Sequence, residues 1–286
     1  DGDLDVLAGE LYGTFRYFEN TAGAGAAPTF ASAVTNPFGL VDIGDFSTPS
    51  VADLDGDGMG EIIATTGSCY SAHSVRAFDY MGNVLWNTPI GTACETYPYI
   101  TDLEGDGAVE IIVNEYVLDA DGNVLFTLAV TGDNWGAPVA ADLDQDGLQD
   151  LLVGNRGYFQ STGVYSSQLA YYRNTGTESE PAFTLQTRDL IDISQLSLGN
   201  VAPTFGDIDG DGDYDMIIGD ATGRVHLFEN SAGANNPCAF SLTVPAYMNI
   251  DITGQFATPF LYDVDGDDLL DMVIGERNGN LSLYEN

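Results

Sequence analysis

A short acidic loop that runs without a spacer into an apolar strand recurs five times along this chain, so the fold must be built from a tandem β unit. The first complete copy, VADLDGDGMGEIIATT from Val51, is followed by ITDLEGDGAVEIIVNE from Ile100 and AADLDQDGLQDLLVGN from Ala140. FGDIDGDGDYDMIIGD from Phe205 and LYDVDGDDLLDMVIGE from Leu261 complete the set, and DGDLDVLAGE from Asp1 matches only the second half. Counted from the first Asp, the complete copies begin at 53, 102, 142, 207 and 263, giving spacings of 49, 40, 65 and 56 residues. Each unit is the size of a four-stranded antiparallel blade.

The sequence between the loops fits that unit. After each loop comes a short β-rich run such as Met216 to Gly219, then an alternating aromatic run: GTFRYFEN from Gly13, QLAYYRN from Gln168, GRVHLFEN from Gly223, GNLSLYEN from Gly279. Period-two alternation of aromatic and β-branched residues predicts strands, and no segment sustains a helical period. In FDYMGNVLW from Phe78 and LDADGNVLF from Leu118, Gly82 and Gly122 occupy hairpin turns that lead to a further strand. Units this short cannot bury both faces alone, and radial stacking removes exposed sheet edges. The predicted fold is therefore all-β, a β-propeller of four-stranded antiparallel blades. It is expected as one domain over 1–286, with a partial first blade at 1–40 and blades starting near 48, 97, 137, 202 and 258.

Composition narrows the partners. Forty-four acidic residues face seven basic ones, all arginine, for a net charge of −37. Nucleic acid and direct membrane insertion are excluded as expectations, since the first needs a basic patch and no window approaches the apolar length of a spanning helix. Cations are the natural partners. The chain opens on Asp1 rather than Met, which reads as a processed or excised piece.

Within each loop, carboxylates fall at positions 1, 3, 5 and 9, and Gly at position 6 in every complete copy but the last. Carboxylates this close repel one another unless something neutralises them. Calcium takes six to eight oxygens in flexible geometry, and alternate residues of a tight loop supply them, with a backbone carbonyl at position 7 and a closing acid at 9. The loop is not an EF-hand, because position 12 is Ala64, Val113 or Val153 within a strand. Magnesium, which demands octahedral geometry and keeps its waters, suits the loop less well.

The pattern D-x-D-G-D-G-x-x-[DE] followed by an apolar strand resembles the FG-GAP and VCBS-type repeats of integrin α-subunit propellers and of secreted bacterial proteins, and the resemblance covers nearly the whole chain. It implies four to five structural Ca2+ ions, held by Asp53, Asp55, Asp57 and Glu61; Asp102, Glu104, Asp106 and Glu110; Asp142, Asp144, Asp146 and Asp150; Asp207, Asp209, Asp211 and Asp215; and Asp263, Asp265, Asp267 and Asp271. The implied backbone oxygens are those of Met59, Ala108, Leu148, Asp213 and Leu269. Glu104 is longer than the usual Asp and Asp268 replaces the turn Gly, so the 102–110 and 263–271 loops are expected to bind less well. Asp1, Asp3 and Asp5 match only the end of a loop. The family usually closes with seven blades, whereas six motifs are visible, the first without its inner strand and the last without its outer one, so the resemblance implies that the chain is part of a seven-bladed propeller.

The loops at the other strand ends carry aromatic residues, and Tyr70, His73, Trp135, Tyr158, Phe159 and Tyr165 are the candidate ligand-binding residues. The insertion from Gly154 to Gln168 is the strongest of these, because a core role needs no insertion. Cys69 and Cys94 fall on the same side; a disulfide between them would fit an oxidising compartment, and two unrelated buried cysteines are the alternative. No nucleophile elbow or phosphate-cradling motif is present, there is no lysine, and the two histidines are His73 and His226. The expected function is a secreted or cell-surface, non-catalytic binding or adhesion module for a protein or glycan, within a larger secreted or surface protein. The alternative is a carbohydrate-active protein, lectin-like or the propeller part of a polysaccharide lyase or hydrolase.

Overall fold

The computed structural model describes residues 5–22, 29–66, 73–91, 97–128, 135–155, 157–159, 165–177, 180–233, 236, 238–253, 255–264, 269–277 and 280–286. The first blade holds β1 (Val6–Gly9), β2 (Phe15–Phe18) and β3 (Val34–Thr35). The second holds β4 (Thr48–Ala52), β5 (Glu61–Thr66), β6 (His73–Phe78) and β7 (Val84–Gly91), and the third β8 (Tyr99–Thr101), β9 (Glu110–Val113), β10 (Tyr116–Leu118) and β11 (Val124–Thr127). The fourth joins β12 (Trp135–Ala141) and β13 (Asp150–Asn155) to β16 (Leu169–Asn174) and β17 (Phe183–Thr187). Between them β14 (Tyr158–Phe159) and β15 (Tyr165–Ser166) form a separate two-stranded hairpin.

The fifth blade is β18 (Ala202–Gly206), β19 (Asp215–Gly219), β20 (Val225–Asn230) and β21 (Phe240–Val244); the sixth is β22 (Thr258–Tyr262), β23 (Asp271–Gly275) and β24 (Leu281–Tyr284). Within the blades the strands pair antiparallel, in chain order except that β13 pairs with β16 past the inserted hairpin. The chain is thus all-β, of β-propeller class, with six blades, and among the described residues the first and the sixth have three strands each. Among the described residues no helix is long and apolar enough to cross a membrane.

Two compact units, Asp1–Gly136 and Ala137–Asn286, make up the chain. Inside each, the second strand of a blade is buried on both faces, which is why it reads as a continuous apolar run rather than an alternating one. Ile62 and Ala64 of β5 pack with Phe15, Leu40, Ile43 and Phe78 towards the first blade. Ile63, one residue between them, packs with Ile111, Val113 and Leu118 towards the third. In the second unit Ile217 of β19 joins Met272 and Ile274 of the sixth blade. Within each unit neighbouring blades therefore cover one another, and the strand that follows the acidic loop is the one most deeply committed to that packing.

In the first unit the outer strands are also clamped. Trp86 of β7 donates its indole N–H to the Ala120 carbonyl at 2.8 Å, and Thr88 Oγ1 donates to the Gly122 carbonyl at 2.6 Å. Gly122 has φ +79°, and a Cβ there would stand 2.5 Å from the Trp86 ring. Gly122→Ala is expected to cost about 1–3 kcal/mol through overpacking and left-handed strain. The urea midpoint of the variant measures it, and an unchanged midpoint would contradict the clamp.

Candidate metal sites

Each acidic loop is folded by its own carboxylates. Asp53 accepts Gly56 N–H (2.8 Å) and Asp57 N–H (3.1 Å) on Oδ1 and Gly58 N–H (2.9 Å) on Oδ2. Asp102 does the same for Gly105, Asp106 and Gly107, and Asp207 for Gly210 and Gly212. The backbone wraps the first carboxylate only by turning through positive φ at position 4, where Gly56, Gly105 and Gly210 lie between +70° and +77°. In the 142–150 loop that position is Gln145, held at φ +56° without the glycine's freedom.

Four clusters of carboxylate oxygens, each lying within 4.8 Å of one another, result among the described residues: Asp53, Asp55 and Asp57; Asp102, Glu104 and Glu110; Asp142, Asp144 and Asp146; Asp207, Asp209 and Asp215. In the last complete copy Asp263, Leu269 and Asp271 are described, whereas Asp265 and Asp267, like Asp1 and Asp3 at the chain start, lie outside the described residues.

The position-9 acid is buried in every complete copy, with Glu61, Glu110, Asp150, Asp215 and Asp271 at most 5% exposed. One oxygen accepts the position-2 N–H: Leu54 to Glu61 (2.9 Å), Leu103 to Glu110 (2.8 Å), Ile208 to Asp215 (3.0 Å), Val264 to Asp271 (2.9 Å). Where the acid is Asp, the other oxygen accepts the N–H of the Asn that ends the third strand: Asn174 to Asp150 (2.7 Å), Asn230 to Asp215 (2.9 Å), Asn286 to Asp271 (3.0 Å). Asn20 does the same to Asp5 at 2.7 Å, so the half-motif keeps this staple. The side chains of Asn20, Asn174 and Asn230 then accept two N–H groups each from the loop towards the fourth strand. Sequence reasoning assigned these asparagines no role, although the recurrent FEN, YRN, FEN and YEN endings carry the signal.

Charge crowding shows in the acids themselves. Burial, reinforced by the nearby Glu104 and Asp102 carboxylates, pushes Glu110 up to about 8. Burial raises Asp150 to about 6 against the hydrogen bonds it receives. Asp142 and Asp215 are raised for the same first reason.

The donor set fits a hard divalent cation: all oxygen, clustered, and partly unsatisfied. Asp213 is 1% exposed; its Oδ2 accepts Gly233 N–H at 2.7 Å, while its buried Oδ1 has no hydrogen-bond partner, and Asp144 Oδ1 is likewise without one. One loop differs from the rest: Arg173 forms ion pairs with Asp144 and with Asp146, the latter at 3.0 Å, and the Tyr171 hydroxyl donates to Asp150 Oδ2 at 2.9 Å.

The candidate partner-binding residues are dispersed. His73 opens β6 and is 2% exposed, so it is core rather than loop tip. Trp135 opens β12, and Tyr158 and Phe159 pair with Ser166 and Tyr165 in the β14–β15 hairpin. Tyr70, Cys69 and Cys94 lie outside the described residues.

Residues 134–172 match the FG-GAP repeat family. The same acidic loop and following strand recur in the other blades, so the matched stretch is one unit of a repeated all-β, propeller-class chain. It is similar to integrin alpha-4 of Xenopus laevis, 34% identical over 155 residues, covering 50% of this chain and 14% of the relative. It is also similar to integrin alpha-3 of Cricetulus griseus, 27% identical over 178 residues, with coverage of 57% and 16%. The chain therefore spans only a small part of these relatives. Among solved structures it resembles the V. cholerae biofilm matrix protein Bap1 at 13% identity and TM-score 0.48, covering 100% of this chain and 57% of that one. An Agrocybe aegerita lectin that recognises non-reducing terminal N-acetylglucosamine gives 13% identity and TM-score 0.49, with coverage of 98% and 79%.

Without metal, Asp150 and Glu110 have folded pKa values above their unfolded ones, so their contribution to stability is full below the unfolded values near 4 and is lost as pH rises through about 6 and about 8. In chelator the urea midpoint is expected to fall between about pH 5 and about pH 8, and Asp150→Asn to flatten that slope. A bound divalent cation needs the ionised carboxylates and reverses the sign. A midpoint that rises with pH in chelator would contradict the assignment.

Proposed function

We propose that the chain is the calcium-binding propeller segment of an extracellular or cell-surface protein, a non-catalytic module that binds a protein or glycan. The observation that carries this reading is the repeated carboxylate cluster, present in four loops of a chain with seven cations for 44 acids. Calcium is the ion suited to such loops because it tolerates irregular oxygen cages of high coordination number. The ligands are the position 1, 3, 5 and 9 acids with the position-7 carbonyls of Met59, Ala108, Leu148, Asp213 and Leu269, for four to five ions. Bound calcium supplies the positive charge that lets the carboxylates stay ionised together. The likeness to integrin α chains supports a surface-exposed, adhesive role.

Partner contact is assigned to the strand ends away from the acidic loops, with the β14–β15 hairpin at its centre. β13 starts at Asp150 and the hairpin follows its far end, so the insertion stands at the opposite end of that strand from the 142–150 loop. Its base is tied down, since Ser166 Oγ donates to the Ser194 carbonyl at 3.0 Å. His73, being buried, supports rather than touches the partner.

Catalysis has little to work with. His73 and His226 are both buried, and His226 Nε2 pairs with Asp220 Oδ2 at 3.1 Å. Burial alone would push the Asp220 carboxyl up, but hydrogen bonds from His226, Thr222 and Arg224 N–H outweigh it and hold it below its ordinary value, as in a structural pair.

The calcium-loaded chain is expected to bind members of a panel of glycans and extracellular matrix proteins, and the combined Tyr158→Ser, Phe159→Ser and Tyr165→Ser variant to lose that binding with its far-ultraviolet circular dichroism unchanged. Binding that survives the triple variant contradicts the assigned surface, and turnover of a polysaccharide contradicts the non-catalytic reading.

A further inference from the structure

The third strands of four blades end in the same way, FEN at 18–20, YRN at 172–174, FEN at 228–230 and YEN at 284–286. In each the Asn N–H is stapled to the position-9 Asp, so the residue before it occupies an equivalent place beside the acidic loop. That residue is Glu19, Glu229 and Glu285 in three blades and Arg173 in the fourth. The exchange reverses the charge beside one loop, and the side chain uses it: the guanidinium pairs with Asp144 and Asp146, two of the three acids whose oxygens cluster there. A planar guanidinium with several N–H donors is well matched to two neighbouring carboxylates.

The fourth acid of that loop is also engaged from within. Asp150 receives Asn174 N–H on Oδ1 and both Leu143 N–H (3.3 Å) and the Tyr171 hydroxyl (2.9 Å) on Oδ2. The matching position in the fifth blade is Leu227, which has no hydroxyl, and there Asp215 remains part of the carboxylate cluster, as Asp150 does not. Among the described residues the 142–150 loop is thus the complete loop that pairs with a protein cation, and its closing acid also takes a protein hydroxyl, as Asp5 of the half-motif does from Tyr17 at 2.7 Å.

We infer that the 142–150 loop is neutralised internally: Arg173, seated on Asp144 and Asp146, takes the place of the divalent cation, and this blade keeps its loop closed without metal. The inference rests on the calcium reading of the other loops and withdraws the 142–150 loop, with its Leu148 carbonyl, from that ligand set, so that the stretch matching the repeat family is the one that has exchanged its ion for an arginine. Arg173 is a positioning residue, holding two carboxylates together across the loop, and Tyr171 fixes the third.

The test compares the full chain with Arg173→Glu, which restores the residue found in the other blades, by calcium titration calorimetry and by manganese-soaked crystals read from anomalous scattering. The wild-type chain is expected to show ions at the 53–61 and 207–215 loops and none at 142–150, and R173E to gain one calcium per chain, with the new anomalous peak between Asp142, Asp144 and Asp146. If R173E fails to fold, the wild-type peaks alone decide. A wild-type ion in the 142–150 loop, with the Arg173 side chain displaced, would overturn the inference while leaving the calcium reading intact. Equal stoichiometry in the two proteins with no peak at that loop would also overturn it, because removing the arginine would then free no site. Absence of ions from every loop would overturn the calcium reading, and this inference with it.

Discussion

The interaction on which everything else depends is the mutual repulsion of carboxylates packed into a nine-residue turn. Three or four acids are drawn within a few ångströms because the backbone wraps the first of them, and the position-9 acid is already at the start of a doubly buried strand. Neither end can relax without loss. If the loop opened, the Leu54, Leu103, Ile208 and Val264 N–H groups would lose their carboxylate acceptors, and the second strand would lose its anchored start. A positive charge is therefore what the loops call for, and the two sources proposed for it are a divalent cation and, in the 142–150 loop, Arg173.

From that anchor the blade follows by ordinary packing. The second strand presents one set of side chains to the preceding blade and the alternate set to the next, as Ile62 and Ile63 do in the first unit. The third strand carries the aromatic alternation and ends on an Asn that stitches the loop to the outer strand. The β14–β15 hairpin, inserted between the second and third strands of the fourth blade, stands outside this framework and is the surface proposed for a partner. The acidic composition belongs to this division of labour: seven arginines cannot balance 44 acids, so the charge that the proposed reading requires would come from solution cations.

Much of this was legible in the residues. The repeat announced the six blades that the sheets form, though not a seventh, and the continuous run Ile62-Ile63-Ala64 announced a strand covered on both faces. The truncated first motif and the short last one foretold the three-stranded first and sixth sheets of the described residues. What escaped was whatever depends on side chains meeting across the blade. Arg173 lies more than twenty positions from the acids it pairs with, and nothing local distinguishes it from a solvated strand end. The asparagine staples repeat visibly, but their partners are named only by the sheet register. His73 looks like a loop-tip residue in sequence because the turn before it is polar, whereas strand β6 begins with it and buries it.

The central claim, that divalent cations hold the acidic loops closed, is tested most directly by counting bound metal in the dialysed chain by elemental analysis and melting the same sample in calcium and in chelator. Several calcium ions per chain, and a melting temperature that falls sharply when they are stripped, is the result predicted here; at a thousandfold excess over the dissociation constant each site would add about 4 kcal/mol. A chain that carries no metal and melts at the same temperature in both conditions would mean that the loops are solvated turns, and would contradict the account.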